Sequence, residues 1–160
     1  MSISVASTES RWEGDPFPDT LIEHGPKIDA LRQTSKPHWL IAYAGSNGLG
    51  LAGNSAATEY ANFKTYIADR IAAGQPANRI VAVPTTARDS IAEPVREAYN
   101  AAMVGDDDDL GYRVARSDLD PDIGAAGANA DTDWFYDGLH LNNAGHARLA
   151  QIIYDTMFPA

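Results

Sequence analysis

No cysteine occurs in the 160 residues, which excludes disulfides and thiolate-bound metals and leaves the redox compartment unmarked. Basic residues are scarce, with 12 Lys and Arg against 22 Asp and Glu, a formal charge of −10. A surface of that sign repels phosphate backbones and anionic headgroups, so neither nucleic acid nor a membrane is an expected partner. No apolar run approaches the roughly 20 residues of a bilayer span. Residues 1–12 lack the basic start and apolar core of a signal peptide, so the expectation is a soluble chain whose compartment is unassigned. What is present is globular: 44% hydrophobic and 21% charged residues, in a length suited to one domain spanning 1–160.

Three short segments read as strands, Trp39 to Ala44, Arg79 to Val83 and Tyr112 to Arg116, each followed by a loop. Between the first two, Tyr60, Phe63, Ile67 and Ile71 recur at helical spacing, with Ser55 as N-cap and Gly74 as stop. Between the second and third, residues 90–93 have the form of a capping box, Ile91, Val95, Tyr99 and Met103 mark a buried stripe, and Gly105 ends it. Leu149, Ile152, Ile153 and Met157 mark a last helix. Upstream, Pro26 to Arg32 suits a short helix, Ile3 to Ser7 a short strand, and Trp12 to Asp19 a loop. Strands alternating with helices predict a mostly parallel sheet covered on both faces, with chemistry carried by loops at strand ends.

The most informative stretch is Asp137-Gly138-Leu139-His140, followed by Leu141 to His146 and the last helix. A carboxylate three residues before a histidine, in the turn leading into a helix, can hold one imidazole nitrogen and leave the other to take a proton from a hydroxyl. His140 as a plain capping or core histidine is the bland reading, and Asp137 weighs against it. His146, inside the helix, is read as a surface residue. Gly45-Ser46-Asn47, directly after a strand, is either a turn or a site for a hydrogen-bond donor.

These blocks resemble the SGNH hydrolases, also called the GDSL esterases. The resemblance covers roughly residues 15 to 160 in element order, with Tyr99-Asn100 also family-like. It implies a three-layer α/β/α, flavodoxin-like sheet with the active site at the strand C-termini. It further implies that Asp137 orients His140, that His140 is the general base, and that the Asn47 side chain donates to the oxyanion. Where the family has Asp after that Asn, this chain has Gly48, so a bracing carboxylate is expected to be missing.

The departure is at the front, because no Gly-Asp-Ser triplet occurs. By element order, Ile3 to Ser7 match the family's second block, which leaves the first strand and its nucleophile absent and Gly14 the nearest glycine for a backbone oxyanion donor. Three arrangements answer this. Glu9-Ser10 stands for Asp-Ser in a degenerate first block, another polypeptide supplies the nucleophile strand, or the chain keeps the fold without cleaving anything. Ser46 is a rival nucleophile, since residues 44–48 approximate a nucleophile elbow, but the next helix is expected only from Ser55.

Gly48 to Gly53 satisfy G-x-G-x-x-G after a strand, a weak motif by itself that would leave the Asp137–His140 block without a purpose. Asp106 to Asp109 read as a solvated loop, and Asp118, Asp120 and Asp122 lack the glycine and glutamate of a calcium loop, so no metal is expected. The expectation is thus ester hydrolysis without a cofactor, on a small ester or acylated carbohydrate. Ser10, His140 and Asp137 would be catalytic, Asn47 and Gly14 would hold the oxyanion, and Trp12, Phe17, Trp134 and Tyr136 could wall a pocket. The rival is a non-catalytic SGNH-like subunit of a viral or surface particle, a homo-oligomer or a complex in which direct pairing or a partner chain completes the sheet.

Overall fold

Alternating strands and helices build three layers in the structure, a computed structural model that describes residues 2–4, 21–30 and 38–160, with side chains from 25–30 and 38–160 apart from 107 and 108. Strands β1 (Ser2–Ser4), β2 (Leu40–Tyr43), β3 (Ile80–Val83) and β4 (Arg113–Val114) lie side by side in that order. All three pairings are parallel. Strand β1 pairs directly with β2, Ile3 opposite Ile41, so no strand stands between them.

Parallel neighbours require crossovers, and helices supply them. Helix α1 (Leu21–Ala30) lies between β1 and β2 in the chain, and a short α2 (Ser46–Gly50) and the long α3 (Ala56–Ala72) lie between β2 and β3. Helix α4 (Glu93–Gly105) and the single turn α5 (Asp107–Leu110) precede β4, and α6 (Asn143–Met157) closes the chain. Side chains alternate across the pleat and divide the core in two. Leu40, Ala42, Ile80 and Ala82 pack with Phe63, Ile67, Tyr99 and Met103 under α3 and α4. Ile41, Val81 and Val83 pack with Phe135, Leu141, Leu149 and Met157 under α6. Burying a side chain such as Phe63 contributes about 1.5–3 kcal/mol.

Helix boundaries shift where tertiary contacts outweigh local signals. Helix α3 starts as expected, the Ser55 hydroxyl accepting from the Thr58 amide at 3.1 Å. Helix α4 starts at Glu93, and the expected capping box does not form: Ser90 Oγ accepts instead from Arg88 Nε at 3.0 Å, while Pro94 occupies the first turn. Helix α1 begins at Leu21 and runs through Pro26 rather than starting there. It docks on α3, Gly25 lying against the Arg70 guanidinium and Asp29 Oδ2 standing 3.3 Å from Arg70 Nε.

The acidic run is helical rather than a loop. Asp106 is buried and its Oδ2 lies 2.9 Å from Lys64 Nζ, and the residues after it form α5. Asp120 is also buried, pairing with Arg148 at 2.7 Å and accepting from the amides of Asp122 and Ile123. Among the described residues, no group of three or more His, Asp or Glu could hold a metal ion. No described helix is long and apolar enough to cross a membrane.

Candidate active site

The Asp137–His140 turn is the tip of a loop pinned at its base. Phe135 and Leu141 form an isolated antiparallel bridge and bury their side chains in the α6-side core. The Tyr136 amide donates to the His140 carbonyl at 2.8 Å, and the Asn142 amide to the Trp134 carbonyl at 2.9 Å. Asn142 then caps α6, its Oδ1 accepting from the amides of Ala144 and Gly145 while its Nδ2 donates to the carbonyls of Thr132 and Asp133. A cap with four hydrogen bonds fixes both the helix start and the loop before it.

Within the turn, Asp137 Oδ1 accepts from the amides of Leu139 at 2.8 Å and His140 at 2.7 Å. Its carboxylate also faces His140 Nδ1, at 2.9 Å from Oδ2 and 3.1 Å from Oδ1. The His140 hydrogen bond, followed by the two amides, holds the Asp137 carboxyl down at about 2. Asp137 is therefore an anion at all ordinary pH values, and an anion at Nδ1 selects the tautomer with its proton there. The His140 side chain is 71% exposed, and its other nitrogen has no partner among the described residues.

At the end of β2 the chain must turn sharply. The Tyr99 hydroxyl donates to the Ala44 carbonyl at 3.1 Å, and Gly45 follows with φ at +101°. A β-carbon there would be strained and would also overlap the Tyr99 phenol. Helix α2 begins at the next residue, Ser46, closed by the Leu49 amide donating to the Gly45 carbonyl at 2.9 Å. The expectation that the helix waits until Ser55 is corrected: strand, turn, Ser46 and helix follow in immediate succession. Buried Leu49 anchors this extra turn, an anchoring that periodicity over so few residues does not reveal.

Asn47 is half-buried one residue into α2. Position 48 carries no carboxylate, but one lies against it from another helix. Glu59, fully buried on α3, accepts from Asn54 Nδ2 at 3.0 Å and fills the space where a β-carbon on Gly48 would stand. An acidic side chain packed against Gly48 also argues against the glycine-rich stretch as a pyrophosphate cradle.

The loop after β3 ties the two halves together. Asn100 clamps its start, exchanging two 2.9 Å hydrogen bonds with the backbone of Thr85. Farther on, the Asp89 amide donates to the Gly138 carbonyl at 2.8 Å, and the Asp89 carboxylate lies where a β-carbon on Gly138 would be while accepting from Asn129. Ser90 packs against Gly50 at the end of α2. Residues 88–90 thus bridge the His140 turn and the Asn47 helix at the C-terminal edge of the sheet.

Ser10 and Gly14 lie outside the described residues, as do Trp12 and Phe17. Trp134 is half-buried and Tyr136 83% exposed, and His146 is exposed on α6. Sequence reasoning missed Glu59, Arg88 and Asp89. Glu59 carried a signal, a carboxylate four residues before Phe63 on an otherwise apolar stripe, whereas the other two needed the loop's path.

The sequence matches no protein-family model and no curated protein. Solved structures do share the fold. TesA superposes with a TM-score of 0.62 at 19% identity, over 88% of this chain and 73% of that one. The lipase/acylhydrolase from Enterococcus faecalis gives 0.62 at 16% identity, over 84% and 68%. The psychrotrophic esterase EstA from Pseudoalteromonas sp., in a structure inhibited by monoethylphosphonate, gives 0.59 at 15% identity, over 87% and 71%. The chain shares the three-layer α/β fold of these structures.

Proposed function

We propose that this chain is an SGNH-type serine hydrolase acting on ester bonds, either simple acyl esters or acetyl groups on carbohydrate. The observation that carries the reading is the Asp137–His140 pair, in which both carboxylate oxygens face Nδ1 within 3.1 Å and the opposite edge of the ring is open. In this mechanism a serine hydroxyl attacks the ester carbonyl carbon and passes its proton to His140 Nε2. Asp137 stabilises the imidazolium, and the Asn47 amide with the Gly14 N–H binds the oxyanion. The proton then goes to the departing alkoxide as its bond to the acyl carbon breaks. Water repeats the sequence to free the acid.

Ser10 is the proposed nucleophile, standing in a degenerate first block whose family counterpart this chain otherwise lacks. Ser46 is the second candidate, supported by its place directly after a strand and a left-handed glycine. Labelling with a fluorophosphonate, followed by peptide mapping, distinguishes them. It is paired with a 4-nitrophenyl acetate assay of wild type, Ser10→Ala, Ser46→Ala and His140→Ala. Loss of label and turnover in His140→Ala and in one serine variant supports the reading and names the nucleophile. Turnover that survives His140→Ala, or no turnover at all, overturns it.

A further inference from the structure

Arg88, near the dyad, forms no ion pair among the described residues. It is half-buried in the loop after β3, and its hydrogen bond is to a neutral partner, Nε donating to Ser90 Oγ at 3.0 Å. Arg70, by contrast, faces Asp29, Arg96 pairs with Glu93, and Arg113 donates to the Thr156 and Met157 carbonyls at the end of α6. No carboxylate among the described residues lies within ion-pair distance of Arg88. Holding a guanidinium partly out of water without an ion pair is unfavourable.

Its position gives that cost a use. Arg88 immediately precedes Asp89, whose amide and carboxylate hold the Asp137–His140 turn at Gly138, and its own partner Ser90 packs against the end of the Asn47 helix. Burial lowers its basicity, partly offset by the charges of Tyr43 and Asp137. Tyr43 itself is held by a 2.9 Å hydrogen bond between its hydroxyl and Thr86 Oγ1. On a chain of charge −10, general electrostatics would repel an anionic substrate, so a half-buried cation near the Asp137–His140 turn, without an ion pair among the described residues, is a selective feature.

We propose that Arg88 is the specificity-determining residue of this site, binding a carboxylate on the acyl portion of the substrate. The preferred esters are therefore half-esters of dicarboxylic acids rather than neutral alkanoate esters. This rests on the hydrolase reading above. The guanidinium's planar fork matches a carboxylate in two-point contact, which a lysine reproduces only as a point charge.

The test compares monoethyl glutarate with ethyl pentanoate, which share acyl length and differ in charge, by pH-stat on wild type, Arg88→Met and Arg88→Lys. Wild type is expected to favour the half-ester in kcat/KM. Arg88→Met should cut that preference by about ten- to a hundredfold, the usual worth of a charge-assisted contact, chiefly through KM. Arg88→Lys should recover part of it. Equal loss on both esters in Arg88→Met would mean that Arg88 only supports the loop, and would overturn the proposal. If neither ester is cleaved, the hydrolase reading fails by itself, and glutarate binding followed by NMR still decides on Arg88. Binding by wild type that is lost in a folded Arg88→Met supports the anion site, and no binding by wild type overturns it.

Discussion

The Glu59 carboxylate stands directly beneath Gly48, in the volume that any side chain at 48 would need. The two positions are eleven residues apart on different helices, yet they divide one task. A glycine leaves room on α2 and a buried acid on α3 fills it, bonded to Asn54. The turn carrying Asn47 is thereby braced from below rather than from within.

That relationship predicts strong coupling. Gly48→Asp alone should destabilise by about 1–3 kcal/mol through overpacking, and Glu59→Ala alone by about 2–5 kcal/mol through the cavity it leaves. The double variant should lose less than the sum by about 1–3 kcal/mol. Urea unfolding of the four proteins measures this, and strict additivity would rule the division of labour out.

Asp137 should matter for the orientation of His140 more than for the stability of the fold. Asp137→Asn is expected to reduce ester turnover by about ten-thousandfold, since the amide no longer selects the Nδ1-protonated tautomer. The thermal midpoint should fall only modestly, because the amide oxygen can still accept from the Leu139 and His140 amides, which circular dichroism can check.

The same carboxylate sets a pH window. Its folded-state value, about 2, lies below the ordinary aspartate range, so its contribution is fully present above that range and is lost as pH falls through about 2. Carboxyl carbon shifts followed by NMR should show Asp137 ionised at pH 4. A midpoint at or above 4 would contradict the three hydrogen bonds assigned to it.

Gly45 should tolerate no side chain. Gly45→Ala combines a left-handed backbone with overlap on Tyr99, and a loss of about 2–4 kcal/mol is expected. Tyr99→Phe, which removes only the hydroxyl bond to Ala44, should cost about 1 kcal/mol. Comparable losses in the two variants would show that the strain is not located at Gly45.

Asn100 should hold the loop after β3. Asn100→Ala orphans the buried N–H of Thr85, whose carbonyl keeps its bond from Arg96, and is expected to cost about 1–3 kcal/mol. Hydrogen exchange at the Thr85 amide should accelerate beyond the global change. An amide that remains as protected would place the clamp elsewhere.

The amino-acid sequence by itself determined the alternation of strand and helix, the parallel sheet, and the Asp137–His140 pair. Each of these depends on contacts within a few residues or on apolar periodicity, and such signals survive in one dimension. Only the tertiary structure decided that Ser46 opens a helix, that Ser90 serves Arg88 instead of capping α4, and that Glu59 replaces a carboxylate Gly48 cannot carry. Buried Leu49 anchors the Ser46 turn in the core and Glu59 reaches Gly48 from another helix, while Ser90 takes a partner two residues away that the path of the loop brings to it. A buried polar group takes whichever partner lowers its desolvation cost, and chain order does not record which one that is.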